Sequence, residues 1–310
     1  MEVIELTPEL KGDSESLVAV LGNFDGVHLG HEAILRSAKK LIGEKDHLAI
    51  IGFSSAHQES SHSNALTSFS EKLERLENLG VQKYYNSFLP EDGLADTAKK
   101  WVLECLAKLS IKQIIVGQSY RVEEMGMSSF KELVDLCRQV NIEVQVVPEL
   151  TVNGHPIETS KIIRLVEEGK MEAVQTLMGR PFTVAGTVIH GEKLGRELGF
   201  PTINLGNVES YVTPKPGVYI GIVGIHDESQ GITDYWNTLI SSGYRPTVNG
   251  KHYLIEAYLL NYSGDLYGKQ VSVSFLSYMR GEIKFDGLEP LIEQMKQDKQ
   301  EAETLFGLNE

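Results

Sequence analysis

The sequence predicts an α/β domain with a doubly wound parallel sheet, followed by a β domain built as an antiparallel sheet or small barrel with a C-terminal helix. Three observations predict it. The chain has 310 residues, beyond the size at which one hydrophobic core keeps growing, so two domains are expected. The first half alternates short apolar runs with segments of helical period, the pattern of strands buried on both faces between helices. After residue 180 the helices stop, and β-rich runs follow one another separated by glycine, proline and asparagine. The expected boundary therefore divides the chain into residues 1–180 and 181–310.

Taken in order, "SLVAVLG" (16–22) is an apolar strand ending in glycine, and "EAILRSAKKLI" (32–42) brings Ile34, Leu35 and Ala38 to helical spacing. "HLAIIGF" (47–53) is a second strand, and "SEKLERLENLG" (70–80) is an amphipathic helix stopped by Gly80. "WVLECLAKL" (101–109), "IKQIIVG" (111–117) and "IEVQVVPEL" (142–150) continue the alternation as helix, strand and strand. One helix is expected over 162–179, after which "GVYIGIVGI" (217–225), "YLIEAYLLNY" (253–262) and "VSVSFL" (271–276) read as strands. The closing helix spans 286–306, with Asp286 and Glu289 as a capping pair and Leu288, Leu291, Ile292 and Met295 as a packing stripe.

Composition limits the function. A formal net charge of −14 argues against nucleic acid or an anionic membrane as the main partner and leaves small molecules. The N-terminal segment "MEVIELTPELKGDSES" lacks the pattern of a secretory signal, and no apolar run reaches the roughly 18 to 20 residues of a membrane span, so the cytoplasm is the expected location. Cys105 and Cys137 stand far apart without further cysteines, which excludes a disulfide framework or a zinc site and leaves buried free thiols.

The first chemical motif is "LGNFDGVHLGHEAIL" (21–35), at the carboxyl end of the first long strand, where ligands bind in open α/β sheets. Gly26 and Gly30 allow close approach of a ligand to the backbone, and the following helix offers unpaired N–H groups that suit phosphate. His28 and His31, three residues apart, share one face of the helix start and can donate hydrogen bonds to phosphate oxygens. Alternatively, one histidine caps the helix and the other packs.

The second motif is "HGEKLGRELGFPTINL" (190–205). Gly191, Gly195 and Gly199 suit a loop approached by phosphate, with Lys193 and Arg196 as cations, and it is not a Walker loop because no G-K-[ST] follows. Thr202 and Asn204 offer hard oxygen ligands for a magnesium ion that bridges nucleotide phosphates. On the strand "LIEAYLL", Glu256 shares a face with Leu254 and Tyr258, where either a salt bridge or a role as general base must justify the carboxylate.

"GNFDGVHLGH" resembles the H-x-G-H signature of nucleotidyltransferases, and "NFDGVH" resembles specifically the FMN adenylyltransferase half of bacterial bifunctional riboflavin kinase/FAD synthetases. This implies that His28 and His31 contact ATP phosphates, that Gly22, Asn23, Phe24 and Asp25 shape the pocket, and that Ser160 and Arg164 of "ETSKIIR" belong to it. Three elements differ from that family's wording: "GFSSAHQES" lacks both prolines, Ser119 replaces an aspartate, and Lys161 replaces a threonine. Residues 181–306 resemble the riboflavin kinase module along nearly their whole length, through "GRELGFPTIN", "SGYRPTV", "IEAYLLNYSGDLYGK" and "FLSYMRGEIKFDGLEPLIEQMKQD". That resemblance implies a six-stranded barrel, ATP·Mg²⁺ held by the glycine loop with Thr202 and Asn204, Glu256 as base for the ribityl 5′-hydroxyl, and Arg280 near the substrates.

The expected function is ATP-dependent phosphorylation of riboflavin to FMN by the second domain and adenylylation of FMN to FAD by the first. The alternative is a riboflavin kinase whose N-terminal domain binds nucleotide or flavin, or acts as a scaffold, without turnover.

Overall fold

The computed structural model describes residues 1–55, 64–90, 94–191, 194–227, 232–247 and 250–308. The chain divides into two compact units, Met1–Ser63 with Thr67–Thr159, and Asn64–Leu66 with Ser160–Glu310. This division precedes the boundary expected near residue 180 because the helices between belong with the barrel: Met171–Met178 packs on barrel strands, and Lys215 N–H donates to the Val166 carbonyl.

In the first unit, β1 (Glu2–Glu5), β2 (Asp13–Leu21), β3 (His47–Ser55), β4 (Lys83–Leu89), β5 (Leu109–Gly117) and β6 (Glu143–Val147) form one sheet in the order β1-β4-β3-β2-β5-β6, every pairing parallel. Helices α1 (Leu29–Lys39), α2 (Phe69–Asn78), α3 (Ala95–Leu106) and α4 (Phe130–Gln139) cover both faces. The period-two alternation of β2 decides which face each residue meets. Val18 and Val20 pack with Leu35, Ala38 and Leu76 of α1 and α2, while Leu17, Ala19 and Leu21 pack with Val102, Cys105 and Leu133 of α3 and α4. The sheet is therefore doubly wound. Strands β3 and β4 extend from one side of β2 and β5 and β6 from the other, so the carboxyl ends of β2 and β5 form the switch-point crevice. A short hairpin, β7 (Thr151–Val152) and β8 (His155–Pro156), precedes the second unit.

The amino end of this sheet is tied by charge. Lys83 Nζ lies 2.6 Å from both Asp13 Oδ2 and Glu15 Oε2, and Tyr85 donates its hydroxyl to Asp13 Oδ2 at 2.6 Å. Burial pushes the Asp13 carboxyl up, but the bonds from Lys83, Tyr85 and the Glu15 N–H outweigh it and bring it down to about 2.

In the second unit, the single helix expected over 162–179 is two helices, α5 (Thr159–Glu167) and α6 (Met171–Met178). Gly169, with φ 75°, ends α5, and the Lys170 N–H reaches back to the Leu165 carbonyl at 2.9 Å. Strands β9 (Phe182–Ile189), β10 (Ile203–Gly206), β11 (Gly217–Asp227), β12 (Ile232–Thr247), β13 (Gly250–Leu259) and β14 (Gln270–Arg280) close a barrel in the order β10-β13-β12-β11-β14-β9, every pairing antiparallel. One helical turn, α7 (Leu194–Glu197), precedes β10, and α8 (Leu288–Leu305) ends the unit. Phe182, Tyr219 and Phe275 fill the barrel, with Tyr219 edge-on to Phe275 at 5.0 Å between ring centres. Helix α8 starts at Gly287 without a side-chain cap, so the expected Asp286–Glu289 pair is not made. Its stripe is only partly covered: Leu291, Ile292 and Met295 are half-buried and Leu288 is exposed, whereas Asp298 and Ala302, further along, are buried.

Among the described residues, no helix is long and apolar enough to cross a membrane.

Candidate functional sites

At the switch point, β2 runs into Gly22 and then a turn in which Phe24 (φ 54°), Gly26 (φ 75°) and Val27 (φ 37°) are left-handed. For a buried aromatic residue this conformation costs about 1–3 kcal/mol and persists only where the surroundings impose it. They do so at several atoms. Asp25 Oδ1 accepts the Thr67 N–H and Thr67 Oγ1 accepts the Gly26 N–H, each at 3.3 Å. Lys72, on the first turn of α2, donates from Nζ to the Asn23 carbonyl and to the Tyr84 hydroxyl, each at 3.1 Å.

His28 is 3% exposed and caps α1: its Nδ1 accepts the His31 N–H at 3.3 Å. In the neutral ring this leaves the proton on Nε2, 3.2 Å from Thr159 Oγ1, to which it donates. The His28 and His31 rings stack at 3.6 Å, and the Phe24 ring lies 4.6 Å from that of His31, tilted by 35°. The cap fixes the His28 ring, and the stack carries that order to His31.

Two glycines here leave space for the rings. A Cβ on Gly30 would meet the His28 ring at 3.0 Å, and one on Gly22 would meet the Phe24 ring at 2.9 Å. They make room for the aromatic stack itself. Ser160 and Arg164 lie on α5 in the second unit, Arg164 exposed.

The barrel carries the second site on its outer face. Asn204 pairs directly with Glu256, Glu256 with Ser241, Ser241 with Val218, and Val218 with Arg280. Directly opposed residues of antiparallel strands share a face, so these five form one row across β10, β13, β12, β11 and β14. At the ordinary strand spacing the row spans about 19 Å. The alternate residues Ile255, Ala257 and Leu259 point inward, leaving Glu256 half-buried on the outside beside Tyr258, which meets Phe200 edge-on at 5.5 Å.

The glycine loop closes on the Asn204 end of the row. A Cβ on Gly191 would lie 2.4 Å from the Asn204 amide nitrogen, and one on Gly195 would lie 2.5 Å from the Phe200 carbonyl and 3.4 Å from Thr202 Oγ1. Gly191, Gly195, Thr202, Asn204 and Glu256 are therefore one cluster. Arg196 is exposed at its rim, and Lys193 lies outside the described residues. Arg280 marks the far end, where its guanidinium grips Asp298 of α8 through Nε to Oδ1 at 2.8 Å and Nη2 to Oδ2 at 2.6 Å. Gln294 supports the same carboxylate at 3.0 Å.

Sequence reasoning missed Lys72, Thr67, Thr159 and Tyr84 at the first site. Their partners are distant in the chain, 49 residues between Lys72 and Asn23 and 131 between Thr159 and His28, so no local spacing signals them.

A family model described as riboflavin kinase matches residues 178–306, and one described as FAD synthetase matches residues 10–161. The bifunctional riboflavin kinase/FMN adenylyltransferase of Listeria monocytogenes is 32% identical over 299 residues, covering 93% of this chain and 92% of its own. That of Bacillus subtilis is 30% identical over 309 residues, covering 96% and 95%. Among solved structures, a chain described as a macrolide-efflux protein from Streptococcus pneumoniae matches with a TM-score of 0.80 at 24% identity, covering 97% of this chain and 98% of that one, a likeness of fold.

Proposed function

Because the chain belongs to the bifunctional riboflavin kinase/FMN adenylyltransferase family, we propose that its barrel transfers the γ-phosphoryl group of ATP to riboflavin, giving FMN, and that its parallel-sheet unit joins FMN to the adenylyl group of ATP, giving FAD.

The kinase half rests on the direct opposition of Asn204 and Glu256 beside the glycine loop. Glu256 accepts the proton of the ribityl 5′-hydroxyl as that oxygen attacks the γ-phosphorus and ADP leaves. The loop around Gly191 and Gly195 takes the phosphates. Thr202 and Asn204, beside the carboxylate of Glu256, provide hard oxygens of the kind that fits Mg²⁺, and they would hold the ion. When bound, the ion neutralises charge developing on the transferred phosphoryl group. Arg280, held by Asp298, fixes the opposite end of the row, near the substrates.

The adenylyltransferase half rests on the stacked His28–His31 pair at the head of α1. A phosphate oxygen of FMN attacks the α-phosphorus of ATP, the bond to the bridging oxygen breaks, and pyrophosphate leaves. His31, and His28 on exchanging its Thr159 bond for a phosphate oxygen, stabilise charge on the phosphates during that displacement together with N–H groups of the first turn of α1.

The test is a chromatographic time course of the purified full-length protein with riboflavin, ATP and Mg²⁺. The expected course is FMN followed by FAD. FMN alone would make the first unit a nucleotide- or flavin-binding module without turnover, and neither product would overturn the assignment.

A further inference from the structure

We infer that Lys72 is a positioning residue for adenylyl transfer, holding the Gly22–Asp25 turn in the conformation that packs Phe24 against His31 and so supports the His28–His31 stack. The inference rests on the adenylyltransferase reading of that site and adds a residue to it.

Ser68 fixes where Lys72 stands. Its side chain accepts the Glu71 N–H at 3.3 Å while the Glu71 carboxylate accepts the Ser68 N–H at 3.0 Å, a closed capping box that sets the first turn of α2. Lys72 rises from that turn across the Phe69 and Tyr84 rings, its Nζ 4.9 Å and 5.1 Å from their centres. The ammonium ends on the Asn23 carbonyl, the peptide group that leads directly into the left-handed Phe24. Its other acceptor, the Tyr84 hydroxyl, belongs to a residue only 1% exposed and is therefore a fixed anchor. Gly52 closes the arrangement, since a Cβ there would meet the Tyr84 hydroxyl at 3.1 Å and Asn23 Oδ1 at 3.2 Å. The glycine thus leaves the room in which Asn23 and Tyr84 meet, and Lys72 keeps the Asn23 carbonyl from turning away.

The consequence runs through two ring contacts. Phe24 lies against His31, and His31 stacks on His28. Without the ammonium, the Asn23 peptide loses a charge-assisted bond, Phe24 is freed to leave its left-handed conformation, and the stack loses that support. Lys72 touches no reacting atom in this account.

The test uses the full-length protein. Lys72→Met should lower kcat for FAD formation from FMN and ATP by about 10- to 100-fold, the equivalent of one charge-assisted hydrogen bond, with KM for ATP unchanged. FMN formation from riboflavin, read on the same preparation, should match wild type and reports an intact second unit, and the rescue of Lys72→Cys by alkylation reports an intact first unit. Lys72→Cys should be equally impaired. Treatment with 2-bromoethylamine, in which the thiolate displaces bromide and restores an ammonium at lysine length, should recover the rate. Cys105 and Cys137 are fully buried and spare this labelling, with treated wild type as the control.

FAD formation by Lys72→Met at the wild-type rate would overturn the inference, as would a rise in KM with kcat unchanged. So would fully alkylated Lys72→Cys remaining as slow as the untreated variant. A wild-type chain that makes no FAD would instead overturn the adenylyltransferase reading itself.

Discussion

Gly191 stands so close to Asn204 that a single added methyl group would occupy the place of the Asn204 amide, whose nitrogen would lie 2.4 Å from it. Asn204 in turn faces Glu256 across one antiparallel pair. The glycine therefore sets where a proposed metal-binding oxygen sits relative to a proposed base.

Gly191→Ala should displace the Asn204 amide, the end of a short side chain, without disturbing the barrel. The Mg²⁺ concentration for half-maximal FMN formation should rise by about tenfold, while stability to urea changes by less than about 1 kcal/mol. An unchanged Mg²⁺ dependence would count against the metal role of Asn204.

The Arg280–Asp298 pair ties α8 to the end of β14. Asp298 is 5% exposed, so removing it leaves a guanidinium that has lost a two-bond partner. Asp298→Ala should destabilise the second unit by about 2 kcal/mol in urea denaturation, the upper range for a buried pair being discounted because Arg280 is partly exposed. Asp298→Asn, which keeps one acceptor, should lose less. Equal stability of both variants and wild type would show that the pair carries nothing.

At the amino end of the parallel sheet, Asp13 has a carboxyl near 2 where 3.8 is ordinary. A value lowered on folding means that its contribution to stability is present above pH 3.8 and is lost as the pH falls toward 2. Asp13→Asn should flatten the acid limb of the stability curve between those values. Lys83→Met, which leaves Asp13 without its ammonium while the half-exposed Glu15 can turn to water, should destabilise the first unit by about 2–3 kcal/mol at neutral pH. An acid limb identical in wild type and Asp13→Asn would refute the assignment.

Much of the parallel sheet was legible because β2, β3 and β5 each contain a continuous apolar run, a pattern that burial on both faces requires. β4 was not. "KYYNSFL" opens on a lysine that is buried only because carboxylates from β1 and β2 meet it, and no local pattern shows that pairing. β12 was hidden in the same way. Its Thr238 and Ser242 sit inside the barrel, and Thr238 donates to the Tyr258 carbonyl at 2.8 Å, so hydroxyl residues that read as loop are barrel lining. At the candidate sites, the histidine pair and the glycine loop announced themselves through local spacing. Lys72 and Thr159 did not, because they reach the site only through the winding of the sheet.

The thiols offer a separate check on the first unit. Burial pushes Cys105 up to about 11 and Cys137 up to about 12, and both side chains are fully enclosed. Neither should react with Ellman's reagent at pH 8 until the protein is unfolded, when both should react. Rapid labelling of the native protein would contradict the packing of α3 and α4.

The most direct test of two chemistries on one chain is the product profile of Glu256→Gln, supplied in parallel with riboflavin and with FMN, each with ATP and Mg²⁺. The structure predicts no FMN from riboflavin and undiminished FAD from added FMN, because Glu256 lies in the barrel and the histidine stack lies in the other unit. FMN formed from riboflavin at the wild-type rate would contradict the assignment of the base and, with it, the reading of the barrel site.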